Sequence, residues 1–204
     1  YHIGLNGCYA KNKVLFCDEA EGFSSWQRQT GHPMYSGLYY EAIGIFTTAA
    51  DLDKFPHHDE ARAGDIIFKD IDGDLEITGN DMTRIYKSSV PTLTGGLNLS
   101  SDYKGFDFTI MLQGQAGAVR YIQDLGGKGV QNWLKSFYDN RWTESNPFSG
   151  YPRTFNRNDE YWVSSVNPNT YWLRNTDFVR LKNLEFGYTL PTEWTSRINI
   201  TNLR

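Results

Sequence analysis

Residues Leu97 to Gln113 alternate in chemical character on both sides of a Lys104-Gly105 pair. Before the pair, Leu97, Leu99 and Tyr103 fall on one parity and Asn98 and Asp102 on the other. After it, Phe106, Phe108, Ile110 and Leu112 share one parity, while Asp107, Thr109 and Gln113 share the other. A period of two belongs to a strand with one apolar and one polar face. Glycine at the centre supplies the positive φ that a tight hairpin needs. Each arm is long enough to cross a bilayer at a tilt, which takes about 9–11 residues.

The same pattern recurs twice. Tyr1, Ile3, Leu5 and Tyr9 oppose His2, Asn6 and Cys8. From Phe178 to Leu190 the apolar parity changes at Lys182-Asn183: Val179 and Leu181 precede the change, and Leu184, Phe186, Tyr188 and Leu190 follow it. One extra residue there, a β-bulge, would return all of them to one face. After the short Pro191 turn, Arg197 to Arg204 begins a further strand. Two long irregular stretches separate these strands. In the first, Tyr39 to Phe46 predicts a short strand, and Thr48 to Phe55 one or two helical turns capped by Thr48 with Asp51 three residues on. In the second, 114–177, the spacing predicts an amphipathic helix over Val130 to Tyr138, with Trp133, Leu134 and Phe137 on one face. Structureless connections of that length are unusual in a compact soluble domain and ordinary on one side of a large membrane barrel.

Several function classes drop out. Net charge is −4 with Lys and Arg scattered, so no basic stripe suits nucleic acid. No run of 18 apolar residues predicts a transmembrane helix, but alternating barrel strands never make such a run. There is no nucleophile elbow, P-loop or dinucleotide fingerprint, and no pair of carboxylates is placed in an apolar cleft, so the expectation is a protein that is not an enzyme. The chain opens at Tyr1 and stops at Arg204 inside alternating patterns, and reads as a piece of a longer protein. Aromatic residues reach 15 %, as interfacial belts, long loops and sugar-binding surfaces all require. Trp133, Trp142, Tyr161, Trp162, Tyr171 and Trp172 are the loop aromatics placed to stack on a ligand or to pack the loops together, and Trp194 is the belt candidate. Cys8 and Cys17 lack metal-site spacing; they read as two unrelated thiols or as a disulfide.

Asp70-Ile71-Asp72-Gly73-Asp74-Leu75-Glu76-Ile77-Thr78-Gly79-Asn80-Asp81 fits a twelve-position calcium loop. Asp70, Asp72 and Asp74 occupy positions one, three and five, Glu76 would offer its carbonyl at seven, and Asp81 stands at twelve. Alternate carboxylates in a tight turn give a hard cation its oxygens. The same residues also suit a solvated β-turn.

Taken in order, these segments resemble a family. Asn12-Lys13-Val14-Leu15, Arg28 to Pro33, Gly64 to Asp74, Tyr103 to Asp107 with Gln113-Gly114, Arg141-Trp142-Thr143 with Asn146-Pro147, Tyr171 to Pro191, and Asn202-Leu203-Arg204 are each similar to a segment of SusC-like TonB-dependent outer-membrane transporters. Leu75 departs from the glycine common there, and the two cysteines are not a family feature. The resemblance implies that residues 1–204 are a C-terminal part of the barrel, with the acidic loop at 64–86 and with the plug domain and last strands outside it. It implies an all-β fold: antiparallel strands of a large transmembrane β-barrel of roughly 22 strands, with long extracellular loops containing short helices. It further implies nutrient import across a Gram-negative, Bacteroidetes-like outer membrane, a SusD-like surface lipoprotein as partner, energy from TonB, and oligosaccharide or peptide cargo. A second reading stays open: a soluble, calcium-stabilised β-domain that binds carbohydrate, such as a sandwich. The two differ in what covers Phe106, Phe108, Ile110 and Leu112, lipid in one case and a second sheet in the other.

Overall fold

The structure, a computed structural model, describes residues 1–122, 134–154, 167–196, 200 and 203–204. Among them the chain forms ten strands: β1 (His2–Tyr9), β2 (Leu38–Tyr40), β3 (Ala42–Ile45), β4 (Ile66–Phe68), β5 (Met82–Arg84), β6 (Leu93–Tyr103), β7 (Phe106–Ala116), β8 (Val119–Tyr121), β9 (Leu173–Asn175) and β10 (Phe178–Tyr188). The α-helices are short, α1 (Lys135–Asn140) and α2 (Thr192–Thr195). The chain divides into two compact units.

The first unit, Tyr1–Lys11, Val90–Ala118 and Asn175–Arg204, is one antiparallel sheet in the order β1-β6-β7-β10. Strands β6, β7 and β10 each have 11 residues. The β6–β7 turn carries Lys104 at φ 48° and Gly105 at φ 85°, both positive as a type I′ hairpin demands. Register then sorts the side chains. Leu5, Leu97 and Leu112 pair in one row, Ile3, Leu99 and Ile110 in the next. On β10, Leu184 faces Ile110 and Phe186 faces Phe108, while beyond a register shift between Leu181 and Asn183 Leu181 faces Leu112 and Val179 faces Gly114. The expected bulge is present, and it keeps Val179 and Leu181 on the same face as Leu184 and Phe186. Asn98, Thr109, Gln113, Arg180 and Glu185 share the other face.

Among the described residues of this unit no second layer covers the apolar face. Leu5 is 83 % exposed, Val179 79 %, Phe186 69 % and Leu184 56 %. Gly7, Gly95 and Gly114 stand side by side in the register and leave a shallow depression of about 580 Å³ between Leu5, Leu93, Leu97, Leu112 and Val179. A face this apolar and continuous is not left to water by a folded protein.

The second unit, Asn12–Ser89 and Val119–Arg174, is built from both long connections. The two irregular stretches therefore fold as one body with its own core of Tyr40, Ile66, Phe68, Ile77, Phe137 and Trp172. Three two-stranded ladders, β2-β5, β3-β4 and β8-β9, serve as its frame. Tyr40 stacks on Phe68 with ring centroids 4.9 Å apart, and Phe137 meets Tyr151 edge-on at 5.8 Å. The predicted strand over Tyr39 to Phe46 is split into β2 and β3. The predicted turns after Thr48 are a 3₁₀ helix over Ala49–Lys54, with the Asp51 carboxylate accepting from the Thr48 N–H at 3.0 Å. The predicted helix over Val130 to Tyr138 begins later among the described residues, at Lys135, and buries Phe137; Val130 to Trp133 lie outside those residues. Arg197 to Asn199 and Thr201-Asn202, in the predicted final strand, also lie outside them. Cys8 and Cys17 are both free thiols.

Candidate functional site

The Gly64–Asp81 segment is the most constrained part of the loop body. Gly64 has φ +90°, and a Cβ there would fall 2.7 Å from the Trp142 ring and 2.8 Å from the Arg153 Cβ. Only glycine permits both the backbone and the close indole. Asp65 is fully buried and pairs with Arg153, Oδ1 to Nε at 2.6 Å. Its Oδ2 also accepts from the Arg62 N–H at 3.0 Å, and the Arg153 N–H donates to the Gly64 carbonyl at 2.8 Å. Ile66 and Phe68 then enter the core. One short run thus ties the first connection to the second.

The acidic loop follows. Carboxylate oxygens of Asp70, Asp72 and Asp74 lie within 4.8 Å of one another. Leu75, at the position where a tight calcium loop favours glycine, has φ 68°, so the chain makes the sharp left-handed bend without it. Asp70 braces the bend, its Oδ1 accepting from Gly73 at 2.6 Å and its Oδ2 from Leu75 at 3.0 Å. The Glu76 N–H donates to Asp74 Oδ1 at 2.9 Å. Asp81 stands apart from the group: it is fully buried and closes the loop's base, accepting from Ile71 at 2.7 Å and Thr78 at 2.8 Å. Ile77 is buried and pins the loop to the core. Though its side chain is exposed, Asp72 has its pKa raised, first by lost hydration and then by the carboxylates of Asp74, Asp81 and Asp70. Three hard anionic oxygens so crowded suit a cation of calcium's type.

The predicted aromatics part company. Trp172 is 1 % exposed, wedged between Phe137 and Tyr171; in this fold it is a core residue and presents no ring face to a ligand. Trp142 lies over Gly64 and donates its Nε1–H to the Thr47 carbonyl at 3.2 Å, so it closes the junction between the two connections. Tyr171 is half-buried, and its hydroxyl donates to the Gly150 carbonyl at 3.0 Å. Burial pushes that hydroxyl up to about 12, so it stays a donor at neutral pH. Trp133, Tyr161 and Trp162 lie outside the described residues. Trp194 is 65 % exposed, on α2. Sequence reasoning missed a cavity of about 350 Å³ lined by Ala42, Gly44, Ile45, Thr47, Phe148 and Tyr171 among others. The signal available was the Ala42–Ile45 run of small and branched residues with Gly150 in the other connection, too faint to join across so long a separation by pattern alone.

No protein-family model matches the chain. Among curated proteins, TonB-dependent receptor P3 of Formosa agariphila is 30 % identical over 202 residues, covering 93 % of this chain and 19 % of the receptor. The chain resembles the TonB-dependent receptors along nearly all of its length. TonB-dependent receptor P26 of the same organism is 25 % identical over 185 residues, 88 % of this chain and 18 % of that receptor. The chain thus spans about a fifth of the length of the TonB-dependent receptors it matches. In fold, it superimposes on the RagAB peptide transporter with a TM-score of 0.61 at 22 % identity, over 94 % of this chain and 21 % of that one. The antiparallel strands of the first unit thus share the fold of part of that transporter.

Proposed function

We propose that this chain is a stretch of wall and outward loop body of a SusC-like importer in a Gram-negative outer membrane. It would draw energy from TonB and work with a SusD-like surface lipoprotein. The observation that carries the reading is the four-strand sheet with one face apolar and open and the other polar. A bilayer covers the first face and a hydrated lumen suits the second. The likeness to a peptide transporter favours peptide cargo, and the loop aromatics leave oligosaccharide as the other class. The test is made on the whole protein that carries this segment. Extracted from the outer-membrane fraction, it is expected to stay monodisperse in detergent and to aggregate when detergent is withdrawn. A compact monomer in plain buffer would sink the reading and favour the soluble carbohydrate-binding β-domain.

The acidic loop has a supporting part in this proposal. Asp70, Asp72 and Asp74 would hold a calcium ion, with the Glu76 carbonyl as a further donor and Asp81 buttressing the loop from behind. The ion would supply charge neutralisation and rigidity. Because the Asp72 pKa is raised above the ordinary 3.8, the folded state binds that proton more tightly than the unfolded one. Ionising it costs stability as pH rises from 3.8 through the folded value. Calcium cancels that cost at neutral pH, and protons displace calcium below it. The expected result is a calcium-dependent rise in melting temperature at pH 7 that shrinks toward pH 4 and is absent from Asp72→Asn. An equal rise in that variant would mean the ion binds elsewhere.

A further inference from the structure

Strand β3 has one edge against β4, and its other edge is served residue by residue. Ahead of it, the Tyr40 N–H donates to the Pro168 carbonyl at 2.9 Å, and Tyr40 and Asn169 form a parallel bridge. The Ala42 N–H donates to Thr170 Oγ1 at 2.9 Å. Beyond it, the Thr47 N–H donates to Asp51 at 3.1 Å and the Thr47 carbonyl accepts from Trp142. Ile45 lies between these. Its neighbour Phe46 turns both backbone groups toward β4's side, donating to Asp65 at 2.9 Å and accepting from Gly64 at 2.7 Å. Strand alternation therefore turns the N–H and C=O of Ile45 the other way, to the outer edge, where no partner stands among the described residues.

That outer edge is where the 350 Å³ cavity lies. The segment Pro168–Thr170, which covers the edge up to Ala42, is carried off by the 3₁₀ turn over Thr170–Trp172. The Asn169 side chain fixes the departure by accepting from the Tyr171 N–H at 3.1 Å. The cavity takes over where the segment leaves. None of its lining residues, Ile45, Phe148, Gly150 and Tyr171 among them, is charged. A Cβ on Gly150 would meet nothing within 4 Å, and Phe148 is 88 % exposed at the rim.

We propose that this edge receives one residue of an extended cargo peptide, which continues the path that Pro168–Thr170 begins, gives and accepts a backbone hydrogen bond at Ile45, and seats an uncharged side chain in the cavity. The inference rests on the importer reading and adds the contact surface and the class of side chain. An outward donor and acceptor on one residue match the paired N–H and C=O of a facing strand residue. A neutral wall makes a buried Lys, Asp or Glu of the cargo costly.

Two variants of the whole protein in detergent test it, with an end-capped heptapeptide of serine, threonine and leucine as the probe. Ile45→Pro removes an N–H that the β3–β4 ladder does not use. Gly150→Leu fills the cavity from a position with room for it. The expected result is at least a tenfold loss of affinity in each, and a similar loss when the central leucine of the probe is replaced by glutamate. Unchanged affinity in both variants, no binding of the probe by the unaltered protein, or tighter binding of a neutral hexasaccharide than of the peptide at this edge would overturn the proposal. TonB-dependent uptake by cells carrying the same variants separates the two readings: retained uptake with unchanged peptide affinity defeats the edge site alone.

Discussion

An Asp65→Ala variant should lose about 3–5 kcal/mol of stability in the loop body, because removing one partner of a buried ion pair strands the other. Asp65 is fully buried and Arg153 13 % exposed at the side chain, so water can do little for the orphaned guanidinium. The same carboxylate accepts from the Arg62 N–H, which the alanine also leaves unmet. Asp65→Asn keeps an acceptor for that N–H and should cost less. Hydrogen exchange at the Gly64 and Lys69 amides is the measurement, since they donate to the Phe46 and Glu41 carbonyls on either side of β4 beside the pair. Protection reduced by less than about tenfold, or roughly 1.4 kcal/mol, would show that the pair contributes little and that the packing of Trp142 over Gly64 carries the junction.

Placing arginine at position 184 should be the most damaging change in the sheet. Leu184 stands at the middle of β10, beside Ile110, on the apolar face. A cation near the bilayer midplane on that face of a barrel costs about 2–4 kcal/mol. Ser100→Arg is the matched control. Ser100 pairs with Thr109 on the polar face, where added charge meets water. Urea-titrated folding of the whole protein into lipid vesicles should separate the two, with Leu184→Arg shifted and Ser100→Arg close to the unaltered protein. Equal penalties would mean that neither face is lipid.

The strands were legible because their information is local. Phe106, Phe108, Ile110 and Leu112 announce a face by themselves, and Lys104-Gly105 announces its turn. Even the irregularity on β10 could be read, since the apolar parity breaks at Lys182-Asn183 and a bulge is the repair. The loop body was not legible in this way. Its strands are three or four residues long, too short for a period, and its core joins Ile66 and Phe68 to Phe137 and Trp172 from a different part of the chain. Trp142 and Trp172 looked like ligand platforms because exposure cannot be read from residue type; the fold turns one over Gly64 and buries the other. In the acidic loop, spacing identified the three carboxylates that converge, but it could not tell that Asp81 spends its oxygens on Ile71 and Thr78.

The joint construction of the loop body bears on how such proteins can be recombined. Asp65 with Arg153, Gly64 with Trp142 and Tyr40 with Asn169 each take one member from either connection. A chimera that imports residues 12–89 from a relative and keeps 119–174 folds only if the incoming segment supplies a matching partner for all three at once. Exchange of binding properties between relatives is therefore expected to proceed by replacing both segments together, two insertions inherited as a single module on an unchanged wall.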